Sequence, residues 1–198
     1  DLNSYDGVYC ERCFAPWTDM EQMMREKNIP LFMLESQEPV KYADFLGITL
    51  QYEMAYTNVL TMLDLAGIPL KASDRTDADP IVICGGPCTY NAEPVADFFD
   101  IMSIGEGEEN LVEFTRLYIK MKEDGTYTRE NFLHEAAKNV GGIYVPSLYE
   151  VKYNEDGTVN GDFSRVGVWR SLTESYLESY NTAPDEVKPY FKHYADIS

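Results

Sequence analysis

Histidine is nearly absent from this chain, with only His134 and His193 in 198 residues. Basic residues are also scarce: 16 Lys and Arg stand against 34 Asp and Glu, a formal charge of −18. Such a surface repels phosphate backbones, which argues against nucleic acid as a partner of this domain. No apolar run approaches the roughly 18 residues a membrane-spanning helix needs. The N-terminus, Asp1 to Asp6, is polar and acidic, with neither a secretory signal nor a starting methionine, as in a trimmed piece of a longer chain. The expected compartment is therefore cytoplasmic, with thiols reduced. Two motifs are missing as well: the phosphate-binding G-x-x-x-x-G-K-[ST] and the cluster-binding C-x3-C-x2-C.

Four cysteines are present, Cys10, Cys13, Cys84 and Cys88. Their C-x2-C and C-x3-C spacing matches that of four-thiolate metal sites. Both pairs fall in or beside predicted strands, however, where positions three apart point to opposite faces. They are read as buried thiols packing as small hydrophobes, and no metal site is expected.

The hydrophobic content of 44% is enough for a real core. The chain is organised around Ile81 to Glu109, where two short apolar runs, IVIC and IMSI, each end in glycines and lead toward a helix-like segment. Continuous β-branched runs suit strands buried on both faces. A further buried strand is predicted over Phe45 to Leu50, with others at Gly7 to Phe14 and at the edge over Pro30 to Leu34. Thr18-Asp19-Met20-Glu21 reads as a capping box opening a helix whose apolar face is Met20, Met23 and Met24. Helical spacing recurs over residues 57–66, stopped by Gly67, and over 108–122, with Leu111, Phe114, Leu117, Tyr118 and Met121 as the buried stripe. Asn91 is expected to cap a short helix containing Pro94, and Thr128 a longer one ending near Asn139. Two strands, 143–146 and 148–153, follow; the second and the turn at Asn154 to Gly157 predict a hairpin over 148–163. A helix around 171–180 and a linker beyond Pro184 complete the reading.

Strand–helix alternation predicts an α/β fold, a parallel flavodoxin- or Rossmann-like sheet flanked by helices, with a C-terminal hairpin and linker. The expected division is an α/β domain over 1–140 and a hairpin and linker over 141–198. Ligands in such sheets bind outside the carboxyl ends of the strands. That makes the strand tips the candidate site: Thr49 and Gln51; Gly85, Gly86 and Pro87; and Gly105, Glu106 and Gly107. Glu106, Glu108 and Glu109 crowd the start of the helix and repel a phosphate, so a ligand here would offer neutral hydroxyl or amide groups. Glu108 and Glu109 equally suit the role of carboxylates capping their own helix. No residue is expected to be catalytic: neither histidine lies near a strand tip, and Cys88 has no basic neighbour in sequence to hold a thiolate. An independent enzyme using Cys88 or Glu53 is the weakest reading.

The strings FLGITL-QYE, IVICGGP and FFDIMSIGEGEENL resemble the Rossmann-like domain that precedes the catalytic barrel in B12-binding-type radical SAM proteins. With FAPWTDME and GGPCTYNAEPVADFFD, they are similar to an uncharacterised bacterial subfamily of those proteins, over residues 10 to about 153. The resemblance implies a place for cobalamin beside Thr49, Gly85-Gly86 and the tip from Gly105 to Glu108. It also implies a first strand and helix upstream of Asp1. Downstream it implies a radical SAM barrel of the same polypeptide, which cleaves S-adenosylmethionine reductively at a [4Fe–4S] cluster. The cobalt-ligating motif D-x-H-x-x-G is absent, so cobalt would have no histidine from this chain. The other reading is a structural domain with a vestigial crevice that binds nothing and is covered by the barrel.

Overall fold

The computed structural model describes residues 2–105, 107–149 and 155. Its centre is a four-stranded sheet in the order β1 (Phe45–Thr49), β2 (Ile81–Gly85), β3 (Ile101–Ser103) and β4 (Ile143–Tyr144). The first three strands are parallel, as expected of an α/β fold, and β4 returns antiparallel to β3. The sheet is thus mixed rather than wholly parallel. The reason is the connection: two consecutive helices, α3 (Gly107–Glu123) and α4 (Arg129–Asn139), lead from β3 to β4. The chain descends one helix and climbs the next, so it re-enters the sheet from the end where β3 finished.

Side-chain alternation along the strands builds two cores. Leu46, Val82, Cys84 and Met102 face α2 (Tyr56–Ala66) and Met24 of α1 (Thr18–Lys27). Ile81, Ile83, Ile101 and Ile143 face Phe114, Tyr118 and Met121 of α3 and Phe132, Leu133, Ala136 and Ala137 of α4. Phe45 joins this second core, its ring 5.4, 4.7 and 5.9 Å from those of Phe114, Tyr118 and Phe132. The Tyr118 hydroxyl donates to Asp44 Oδ1 at 2.6 Å, fixing α3 over the start of β1. Gly67 stops α2 in the left-handed conformation, and Thr128 caps α4 by accepting from the Asn131 amide at 3.1 Å, both as predicted.

The end of the sheet opposite the glycine tips is held by a buried ionic clamp. Asp100 Oδ2 accepts from Arg75 Nη1 at 2.8 Å, from Arg129 Nη2 at 3.0 Å and from the Val82 amide at 2.8 Å. Arg75 also donates to the carbonyls of Pro69, Leu70 and Phe98, and Arg129 to those of Thr76, Asp79 and Pro80. Burial lowers the Arg75 pKa, and the Asp100 carboxylate opposes that shift. The loop from Pro69 to Pro80 carries few apolar residues, so this polar clamp does what a hydrophobic plug would do elsewhere.

Several expected elements are absent. Residues 7–14 form no strand: the Cys10 amide is taken by Asn3 Oδ1 and the Arg12 amide by Glu35, leaving no ladder. The region around Pro30 to Leu34 makes only an isolated bridge, Phe32 to Pro39. Thr18 is already helical and Trp17 takes the N-cap without a side-chain bond, so the capping box does not form. Of the three methionines of α1 only Met24 is buried. Asn91 does not cap an α-helix; Pro87–Asn91 and Glu93–Phe98 are two short 3-10 helices. Pro146–Leu148 is likewise 3-10. The hairpin over 148–163, the helix near 171–180 and the linker fall almost wholly outside the described residues. Among the described residues no helix is long and apolar enough to cross a membrane.

Candidate functional site

Three rows of residues cross the sheet on the face that α3 and α4 cover. Phe45 pairs with Ile81 in the first row, and Gly47 with Ile83 and Ile101 in the second. The third comprises Thr49, its partner Gly85, and Ser103, whose Cβ is 3.9 Å from where a Cβ on Gly85 would stand. Side-chain bulk therefore falls from Phe and Ile to Thr, Gly and Ser toward the carboxyl ends. Gly47 and Thr49 are exposed and Gly85 is half-buried, whereas Ile81, Ile83 and Ile101 are buried. The result is a shelf at the strand tips made by the exposed Thr49 hydroxyl and the bare backbone of Gly85, with the buried Ser103 hydroxyl at its inner end, beside the N-terminal turn of α3.

Two buried side chains define the inner end of the shelf. Asn110, in the first turns of α3, donates through Nδ2 to Ser103 Oγ at 2.9 Å, and its own Oδ1 is buried without a partner among the described residues. Thr89 Oγ1 lies 2.8 Å from the Gly86 carbonyl and 3.0 Å from the Ser103 carbonyl, so one hydroxyl ties the tips of β2 and β3 together. Sequence reasoning missed both: Asn110 falls among the polar positions of an amphipathic helix, and Thr89 follows the glycines without periodic signal. Thr89→Val keeps the shape and removes the hydroxyl. It should cost about 1–3 kcal/mol, because the Ser103 carbonyl loses the hydroxyl, while the Gly86 carbonyl keeps the Thr89 amide at 3.0 Å. Urea unfolding checks this; an unchanged midpoint would show that the hydroxyl does not hold the tips.

The predicted site residues separate into distinct environments. Thr49 and Gly85 share the shelf. Gly86 has φ 102°, and a Cβ there would sit 2.7 Å from the Leu50 carbonyl oxygen, so its space belongs to the neighbouring backbone. That contact is part of a latch: Leu50 N–H donates to Gly85 O at 2.7 Å, and Cys88 N–H to Leu50 O at 3.2 Å. Pro87 opens a 3-10 helix, and Gln51 is exposed beyond β1. Gly105, at φ 104°, has open space where a Cβ would stand, and Gly107 begins α3 against Leu111. Glu106 lies outside the described residues.

Among the described residues the shelf itself presents neutral hydrogen-bonding groups. Burial pushes the Cys84 thiol up to about 12, which leaves no thiolate near neutral pH. Burial, followed by the neighbouring Cys88, raises the Tyr56 phenol. Cys10 is exposed and Cys13 half-buried in the N-terminal segment, apart from the buried Cys84 and Cys88. Among the described residues no three His, Cys, Asp or Glu side chains come together as metal ligands, so nothing there fits an iron–sulfur cluster. His134 lines a different groove, of about 510 Å³, along α3 and α4.

Comparison with known proteins bears on what the shelf serves. The model of a family described as radical SAM proteins, N-terminal, matches residues 1–146. An uncharacterized protein of the archaeon Methanocaldococcus jannaschii is 30% identical over 106 residues, which are 53% of this chain and 22% of that protein. The chain thus matches about a fifth of that relative's length. No solved structure matches the chain.

Proposed function

Because the chain belongs to the family of N-terminal regions of radical SAM proteins, we propose that it positions a cofactor for a radical SAM barrel in the same polypeptide. In this reading the barrel carries the [4Fe–4S] cluster and S-adenosylmethionine, and the α/β domain over 1–140 is joined to it through residues 141–198. Cobalamin is the proposed ligand of the shelf, and when bound it supplies a redox-active cobalt. Thr49 offers a hydroxyl to its periphery, and Gly85 lets a flat ring approach the strand backbone. Asn110 holds the Ser103 hydroxyl in place. Gly105 and Gly107 flank the next tip, where Glu106 would accept from amide groups. With no histidine at the tips, the cobalt would take no side-chain ligand from the described residues.

The observation that carries this reading is the Thr49–Gly85–Ser103 row, a small and polar patch above rows that hold Phe45, Ile81, Ile83 and Ile101, with Gly47 the one small residue among them. The test is gel filtration of the full-length protein with hydroxocobalamin. Visible absorbance should co-elute with the protein, and its absence at micromolar protein would contradict cobalamin as the ligand. A second reading, a docking domain with an empty crevice, is favoured by the exposed side chains of Tyr52, Met54 and Tyr90 just beyond the tips of β1 and β2. It predicts no co-elution.

A further inference from the structure

The N-terminal segment and α1 carry apolar side chains that the core does not use. Tyr9 is 87% exposed, Phe14 64%, Trp17 80%, Met20 39% and Met23 54%. At about 150–250 Å² per large side chain, they present on the order of 500 Å² of mostly apolar surface within 15 residues of chain. Scattered single hydrophobes are ordinary on a protein surface, but a run of this size marks an interaction site.

The patch is also held in place. The irregular segment before α1 is pinned at Cys10 and Arg12, near the start of the run. Asn3 exchanges two hydrogen bonds with Cys10, at 2.6 and 3.0 Å. Arg12 receives Leu34 N–H on its carbonyl at 2.8 Å and pairs with Glu35 at 2.6 Å. Neighbouring charges are already engaged within the domain: Glu11 accepts from the Ser36 hydroxyl, and Arg25 pairs with Glu21 and Asp64. What remains for a partner to read is aromatic rings and thioethers, the side chains that dominate interface energetics and adapt to a facing surface.

We propose that this face of α1 and the segment before it docks on the radical SAM barrel of the same polypeptide, a partner whose facing surface is apolar. The inference rests on the family reading given above. Area favours a tethered partner over a free one. About 500 Å² is below the roughly 800 Å² per side of a stable complex between separate chains, yet counted over both sides, about 1,000 Å², it is within the range of interfaces between domains of one chain. Tethering supplies an effective concentration in the millimolar range, so a modest apolar face suffices.

Hydroxyl-radical footprinting of the full-length protein, read residue by residue by mass spectrometry, tests this. Tyr42, exposed beside the C-terminal end of α1, serves as the reference, and buried Met24 reports that α1 stays folded. Trp17 and Met23 should oxidise at least about fivefold more slowly than their exposure here predicts, because tethering keeps the docked state populated. Met23→Asp should restore Trp17 oxidation while Met24 stays protected. Oxidation of Trp17 and Met23 at the rate of Tyr42 would overturn the proposal, and so would protection that disappears on dilution, which would identify a second copy as the partner. The visible absorbance of a reconstituted iron–sulfur cluster separates the two levels. If it is present without protection, docking alone fails; if no cluster can be formed, the radical SAM reading fails and the docking fails with it.

Discussion

Asp100→Ala is expected to remove about 3–5 kcal/mol of stability, because it leaves two buried guanidinium groups without their counter-charge. That is a large part of the 5–15 kcal/mol that holds a typical domain folded. The carboxylate does more than neutralise. It accepts from Arg75, from Arg129 and from the Val82 amide, and so joins the loop before β2, the start of β2 and the start of α4. Without it, Arg75 and Arg129 keep their carbonyl partners but carry uncompensated charge in a dry site. Denaturant unfolding should show a large fall in midpoint or no cooperative transition. A midpoint within about 1 kcal/mol of the parent would mean that water reaches the clamp and solvates the guanidinium groups.

The second large effect is expected at Gly86, and its contrast with Gly85 is the informative part. Gly86→Ala places a Cβ 2.7 Å from the Leu50 carbonyl oxygen at a φ of 102°, and all three nearest atoms belong to the Leu50 backbone. The backbone at φ 102° and ψ 177° lies in a region open essentially to glycine, and holding an L side chain there costs on the order of 1–3 kcal/mol. Relieving the contact must also disturb the latch in which Leu50 bonds to Gly85 and Cys88. Gly85→Ala meets only Ser103 Cβ at 3.9 Å, an ordinary contact, and should be nearly neutral. Thermal unfolding of the two variants side by side decides this. Equal melting temperatures would show that the β2 tip relaxes freely and that the latch is weak.

This contrast also shows what a sequence can disclose at such a tip. The pair Gly85-Gly86 marks a place where backbone comes close to something, and both residues are natural ligand-site candidates. Only the three-dimensional register shows that Gly86 approaches the protein's own chain whereas Gly85 faces the open shelf. The strands β1 to β3 and the helices α2, α3 and α4 were legible because periodicity and caps are local signals. The clamp was not, because Arg75, Asp100 and Arg129 are 25 and 29 residues apart and each is an unremarkable charge in its own segment. Ser103 and Asn110 were hidden for a different reason: Ser103 is a short residue within an apolar run, and Asn110 falls among the polar positions at the start of α3. Met20 and Met23 misled in the opposite direction. Their spacing is that of a buried face, but a helical period records only that one side is apolar, not which surface covers it.

The reading of the shelf as a cofactor site is tested most directly by titrating hydroxocobalamin into the full-length protein and its Gly85→Leu variant. Leucine at this position has ordinary room at its Cβ and would extend over the row between Thr49 and Ser103. Binding to the parent should weaken at least tenfold in the variant, a loss of about 1.4 kcal/mol or more, with the unfolding midpoint unchanged. Equal affinity in the two proteins, or no binding to either, would contradict the shelf as the place where this domain holds a cofactor.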